Sequence, residues 1–328
     1  MKVLLPRPPG DDFIRTLRER IDPGIELLLG SASSDARDYD WLVEGVPTEE
    51  QITRSSRLRG VVVPWAGVST RTLELVRLHP HLTVHNLHHN APATAELAFA
   101  LLSAVARRIV PIDQALRRGD WAGRDDSERN FLLAGRSAVI LGLGAIGRRV
   151  AKFCLAFGMP VTAVCRTSRT HSAWGSDLEG VEVRDISSLQ DLLPQARVLF
   201  LTLPLTEETR GLIGERELGL LPRDAILVNV ARGPIVDEDA LFAALESHRI
   251  AGAGLDVWYR YPRDEDDRRD FLPSSRPFHT LENVVLSPHR GGDTLETETL
   301  RATALAELLA FAVRGEEMPN RVDTSVGY

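Results

Sequence analysis

Three polar residues stand at or just beyond the ends of apolar runs that read as buried strands. Arg232 follows AILVNVA, Asp256 sits in GLDVW, and His289 follows VVLSP, directly behind Pro288. A guanidinium can grip a carboxylate with two parallel hydrogen bonds, and an imidazole can pass a proton near neutral pH. Singly, each has a plainer reading: a surface cation, a cap on a helix or loop, a hydrogen-bonded loop histidine. A fourth feature gives the set direction. Gly142, Gly144 and Gly147 form GxGxxG immediately after an apolar strand, and Ile146, Val150, Phe153, Cys154 and Phe157 then mark one helical face. Glycines at a strand-to-helix turn let backbone N–H groups and the helix N-terminus approach a pyrophosphate. A dinucleotide loop with an arginine and a histidine suggests hydride transfer to a carboxylate-bearing carbonyl compound, Arg232 holding the carboxylate and His289 supplying the proton.

These residues need a scaffold of parallel strands, and the sequence has its pattern. Short apolar runs alternate with helical periodicity, which is the α/β signature. In the first hundred residues, strands are predicted at 2–5, 25–29, 60–63 and 82–84, with a helix at 11–20. One long helix is predicted from 94 to about 118, with Leu97, Leu101, Val105 and Ile109 at intervals of four. A second series opens at Ser137, with strands predicted at 137–141, 161–165, 181–183, 197–203, 225–230, 250–257 and 284–286, as in a doubly wound parallel sheet. A last helix runs from about 294 to 314.

The strand after the glycine loop should end in an acid that binds the ribose of NAD, roughly 20 residues on. Cys165 stands there instead, followed by Arg166, Thr167, Ser168 and Arg169, cations and hydroxyls suited to a 2′-phosphate. NADP is therefore favoured; NAD stays open if Arg166 and Arg169 are solvated surface charges.

At 328 residues, with 26% charged and 43% hydrophobic, the chain has ordinary globular composition and the length of two domains. A formal net charge of -7 argues against nucleic acid or an anionic membrane and for a small molecule as partner. No run approaches the roughly 20 apolar residues of a membrane helix. Cys154 and Cys165 have no CxxC or zinc spacing, and the N-terminus reads as a first strand rather than a signal peptide, so a cytoplasmic location is expected.

Several segments in order resemble the D-isomer-specific 2-hydroxyacid dehydrogenase family, which includes glyoxylate and hydroxypyruvate reductases and phosphoglycerate, phosphite and formate dehydrogenases. They are GVVVPWAGVST, NAPATAELAFALL, GLGAIGRRVAKFCLAFGM, LTLPLTEETRGLIG, LVNVARGPIVDEDAL, GAGLDV and LSPHRGG, and the likeness spans nearly everything from Gly60 to Tyr328. The resemblance implies a Rossmann cofactor domain at 95–290, inserted into a smaller flavodoxin-like α/β substrate domain made of 1–94 and the helix and tail at 291–328. It implies Arg232 as the substrate arginine, His289 as the acid/base and Asp256 at the nicotinamide carboxamide. It also implies backbone contacts of Ala66, Gly67 and Val68 with the carboxylate, Asn90 beside the substrate, and Ala145, Ile146, Pro204 and Thr209 at the cofactor. No metal is implied, although His79, His81, His85, His88 and His89 cluster in sequence. A homodimer is implied through the segment at 95–135.

One position departs from the family pattern. The family usually has a glutamate five residues after the LDV aspartate, pairing with the histidine; Tyr261 stands there. Formate dehydrogenases also lack it, because formate oxidation needs a hydride and no proton exchange. Tyr261 thus joins the site as the residue facing His289, unless Asp264 or Glu265 swings in as a displaced acid. The expected activity is reduction of a small 2-oxoacid of the glyoxylate or hydroxypyruvate type. The alternatives are a dehydrogenase of a small anion and a dinucleotide-sensing binding protein.

Overall fold

The computed structural model describes residues 1–30, 37–125, 130–166 and 178–328. They form two compact units, Met1–Asn90 with Gly292–Tyr328, and Ala91–Gly291.

The smaller unit is built on five strands, β1 (Lys2–Leu5), β2 (Glu26–Leu29), β3 (Trp41–Val43), β4 (Gly60–Val63) and β5 (Thr83–Asn86). They pair in parallel in the order β2-β1-β3-β4-β5, the flavodoxin-like arrangement. Neighbouring residues of a strand face opposite ways, so both faces must be apolar where both are covered. Val3 and Leu5 face a cluster with Phe13, Leu17, Leu305 and Leu309, while Leu4 joins Leu42, Val61, Val63 and Leu73 on the other side. The tail returns to this unit, with the Val322 N–H donating to the Val84 carbonyl at 2.8 Å. Strand β3 was not predicted. Its three buried residues are too short a run to show a period, and only pairing with β1 and β4 makes them a strand.

The larger unit carries β6 (Ala138–Leu141), β7 (Val161–Cys165), β8 (Val181–Asp185), β9 (Val198–Leu201), β10 (Ile226–Asn229), β11 (Gly252–Leu255) and β12 (Val284–Leu286). The order is β12-β11-β10-β9-β6-β7-β8 with every pairing parallel, a doubly wound sheet. All carboxyl ends therefore share one edge, where Cys165 closes β7 and Gly142, Pro204, Arg232, Asp256 and His289 each follow a strand.

The long helix predicted at 94–118 is two helices, Ala91–Ala106 and Ile109–Arg117. Arg108 turns left-handed at φ +49°, and Pro111, with no N–H to give, is tolerated only in the first turn of a new helix. A seam between 94 and 95 would cut the first helix, which lies wholly in the larger unit.

Candidate active site

At the end of β6 the chain turns through Gly142 at φ +97°, where an added Cβ would lie 2.8 Å from the Leu203 backbone. Gly147 is closed in the same way, its Cβ position 2.0 Å from the Gly142 carbonyl. Gly144 is the opposite case: it caps the Ala145–Ala156 helix, and nothing lies within 4 Å of its missing Cβ. The turn is packed tightly beneath and open above the first N–H groups of the helix, Ala145, Ile146 and Gly147, which fits a pyrophosphate. Thr202, absent from the predicted site, braces the turn by donating to the Gly142 carbonyl at 2.6 Å. The Thr209 hydroxyl donates to the Pro204 carbonyl at 2.7 Å and accepts the Thr206 N–H at 2.8 Å, so it shapes the loop after β9.

Strand β7 ends at Cys165, and Arg166 behind it is exposed. Cys165 pairs in register with Asp185 on β8, which puts a carboxylate on the neighbouring strand end. Thr167 and Arg169 lie outside the described residues.

Arg232 is set by Asn229 at the end of β10. The buried Asn229 amide accepts the Ala231 N–H and donates to the Arg232 carbonyl, both at 3.0 Å. Gly233 then passes so close to Trp258 that a Cβ would meet the Trp258 carbonyl oxygen at 2.3 Å. Trp258 is the hub of the site. Its indole N–H donates to the Ser287 carbonyl at 2.8 Å, and its backbone N–H to the Tyr261 hydroxyl oxygen at 3.0 Å.

His289 stands on a turn clamped from both sides. Asp256, just past β11 and buried, accepts the Ser287 hydroxyl at 2.5 Å and the N–H groups of Arg290 and Gly291 at 2.9 Å. The clamp holds His289 at φ +57°, a left-handed conformation uncommon for a residue with a side chain. Burial, with Arg232 nearby, lowers the imidazole pKa below its ordinary 6.5; Asp256 opposes the shift. The Tyr261 ring lies against it, centroids 5.4 Å apart and planes at 52°. Asp264 and Glu265 are engaged elsewhere: Asp264 accepts the N–H groups of Asp266 and Asp267 at 3.0 Å, and Glu265 meets Arg268 at 3.7 Å. Arg232, Asp256, Tyr261 and His289 are thus joined in one unit. Asn229, Trp258 and Ser287, which place them, were not read as site residues, although Asn229 and Ser287 lie within LVNVARGPIVDEDAL and LSPHRGG; the serine's nearness to the histidine was the available hint.

Ala66, Gly67, Val68 and Asn90 belong to the smaller unit. The first three follow β4, and Asn86 ties the Ala66 carbonyl at 2.6 Å. Asn90 packs on Gly292, whose Cβ position is 2.8 Å from the amide nitrogen. Of the clustered histidines, His85 bonds the Pro319 carbonyl and Thr83 hydroxyl, and His89 accepts from Arg301, its pKa pulled down to about 4 mainly by burial. Among the described residues no group of three or more His, Cys, Asp or Glu side chains could hold a metal ion.

A family model, the NAD-binding domain of D-isomer-specific 2-hydroxyacid dehydrogenases, matches residues 99–291. A glyoxylate reductase of Aeropyrum pernix is 35% identical over 315 residues, covering 93% of this chain and 88% of that protein. The chain belongs to the D-isomer-specific 2-hydroxyacid dehydrogenase family. A glyoxylate reductase of Korarchaeum cryptofilum is 40% identical over 235 residues, 71% of this chain and 66% of that one. Among solved structures, a D-isomer-specific 2-hydroxyacid dehydrogenase of Xanthobacter autotrophicus Py2, in complex with NADPH and MES, covers all of this chain at 26% identity and a TM-score of 0.78, with 99% of its own chain covered. As a family member the protein is a nicotinamide-dependent oxidoreductase acting on a CH–OH group. No helix among the described residues is long and apolar enough to cross a membrane.

Proposed function

We propose that this dehydrogenase reduces a small 2-oxoacid, of the glyoxylate or hydroxypyruvate type, to the 2-hydroxyacid with NADPH. The observation that carries the reading is the clamped His289 turn, joined through Trp258 to the Arg232 turn on the strand edge that also bears the glycine loop. A nicotinamide cofactor held at the glycine turn of Gly142, Gly144 and Gly147 would supply the hydride for the carbonyl carbon. Arg232 holds the carboxylate and polarises the carbonyl, and the His289 imidazolium gives its proton to the carbonyl oxygen, leaving neutral imidazole and the 2-hydroxyacid. Asp256 keeps the His289 turn in place, and its second oxygen, with one donor, retains room for the nicotinamide carboxamide. We assign the backbone of Ala66, Gly67 and Val68 and the Asn90 side chain to the substrate on the family resemblance. The likeness to the glyoxylate reductases of Aeropyrum pernix and Korarchaeum cryptofilum supports the substrate class.

NADPH preference rests on Cys165 and Arg166 at the end of β7, and the Xanthobacter relative binds NADPH. Asp185 opposite Cys165 favours NAD, because a carboxylate there would repel a 2′-phosphate. Tyr261 favours a second reading, oxidation of a small anion such as formate or phosphite, since a neutral phenol that accepts the Trp258 N–H stands where the family usually has a carboxylate. Absorbance of NADPH and NADH with glyoxylate, hydroxypyruvate and phenylpyruvate, and in reverse with formate and phosphite, decides among these. Reduction of glyoxylate or hydroxypyruvate with NADPH is expected, and turnover of formate or phosphite alone overturns the reading.

A homodimer and a cytoplasmic location complete the proposal. The Ile109–Arg117 helix buries no residue, and Trp121 (66% exposed) and Leu132 (74%) in the same segment are also exposed apolar side chains that a second copy would cover. Light scattering at micromolar concentration should give twice the 36.2 kDa chain mass. Cys154 is a free thiol pushed up to about 12 by burial, in keeping with a reducing compartment.

A further inference from the structure

The five-stranded sheet has a switch point of its own. In the order β2-β1-β3-β4-β5 the direction of winding reverses between β1 and β3, and open α/β sheets bind ligands in the crevice beyond the carboxyl ends at such a point. Here β1 leads to Arg7 and β3 to Glu44 and Gly45. Arg7 and Glu44 close on each other with two hydrogen bonds of 3.1 and 2.7 Å, and Glu44 also accepts the Gly45 N–H at 2.9 Å. The charges at the crevice are therefore matched.

Over Gly45 lies the indole of Trp65, from the loop after β4. An alanine Cβ at position 45 would sit 1.9 Å from Cζ2 and 2.0 Å from Cη2 of that ring, so the glycine is what admits it. The frame on both sides is braced: the Thr72 hydroxyl donates to the Gly45 carbonyl at 2.8 Å, and the Asn86 amide to the Ala66 carbonyl at 2.6 Å. Yet Trp65 remains 41% exposed. The ring is thus seated on a fixed frame with one side open to solvent.

We propose that Trp65 is a specificity-determining residue, its indole narrowing the crevice so that only a hydrogen or a short substituent fits on the carbonyl carbon of the oxoacid. The inference rests on the functional reading above, in which Ala66, Gly67 and Val68 hold the carboxylate. Trp65 directly precedes that loop, so a carboxylate bound there brings the rest of a small molecule alongside the indole. Shape does the selecting, because the matched Arg7 and Glu44 charges offer no strong anchor to a charged substituent.

The test is the ratio of kcat/KM for phenylpyruvate to that for glyoxylate, with NADPH, in the parent, Trp65→Ala and Trp65→Phe. The ratio should rise at least tenfold in Trp65→Ala and about threefold in Trp65→Phe. Should Trp65→Ala fail to fold, the phenylalanine variant decides, and a ratio unchanged from the parent overturns the inference. A parent that reduces no oxoacid would sink the functional reading before any variant is made. A parent that reduces glyoxylate, with ratios that do not move, sinks the role of Trp65 alone.

Discussion

The glycine turn after β6 and the His289 turn after β12 are both backbone constructions, but they are held in opposite ways. The glycine turn is shaped by side chains that are missing: Gly142 and Gly147 allow close packing, and Gly144 leaves the helix N-terminus open. The His289 turn is shaped by side chains that are present, the Asp256 carboxylate and the Trp258 indole bonding the main chain on either side of the histidine. A site built from absence can be altered around its edges and still bind. One built from specific partners fails when a partner changes by a single atom.

The largest effect is therefore expected on the side-chain half. Arg232→Lys keeps the charge and would lose the proposed two-pronged grip on the carboxylate, at a cost of a few kcal/mol, and kcat/KM should fall on the order of a hundredfold or more. A lysine variant within threefold of the parent would remove Arg232 from the site. Asp256→Asn comes next. It replaces one acceptor with an N–H donor that meets a backbone N–H at either position, Arg290 at one oxygen and Gly291 at the other, and it removes the charge that opposes the lowering of the His289 pKa. We expect kcat/KM about tenfold lower, with the basic limb of oxoacid reduction shifted to lower pH; unchanged rate and profile would mean the clamp is dispensable. On the cofactor half, Cys165→Asp with Arg166→Pro should leave turnover in place and move preference toward NADH, by about tenfold in the ratio of dissociation constants from fluorescence titration. If the parent already binds NADH more tightly than NADPH, the assignment of these residues is wrong.

The same contrast explains what could be read in the sequence. Glycine spacing after an apolar strand is a local pattern, and so are the apolar runs of eleven of the twelve strands among the described residues; β3 escaped because three residues between acids carry no period. Arg232, Asp256 and His289 were visible because each follows a strand. The role of Asp256 as a clamp was not, since its partners Ser287, Arg290 and Gly291 are more than thirty residues away and meet it only through the pairing of β11 with β12. Trp65 was equally hidden, its meaning depending on a glycine on another strand end.

In the proposed mechanism His289 works beside Tyr261 with no carboxylate partner at that position. Lowered by burial and by Arg232, its pKa lies below the ordinary 6.5, and reduction needs the protonated ring. The direct measurement is the pH profile of kcat/KM for glyoxylate reduction in the parent, Tyr261→Glu and Glu265→Gln. The parent rate should fall as pH rises through a value below about 6.5, the limb should move upward in Tyr261→Glu, and Glu265→Gln should change nothing. A limb unmoved by Tyr261→Glu but lowered by Glu265→Gln would contradict that mechanism and place the missing acid further along the chain.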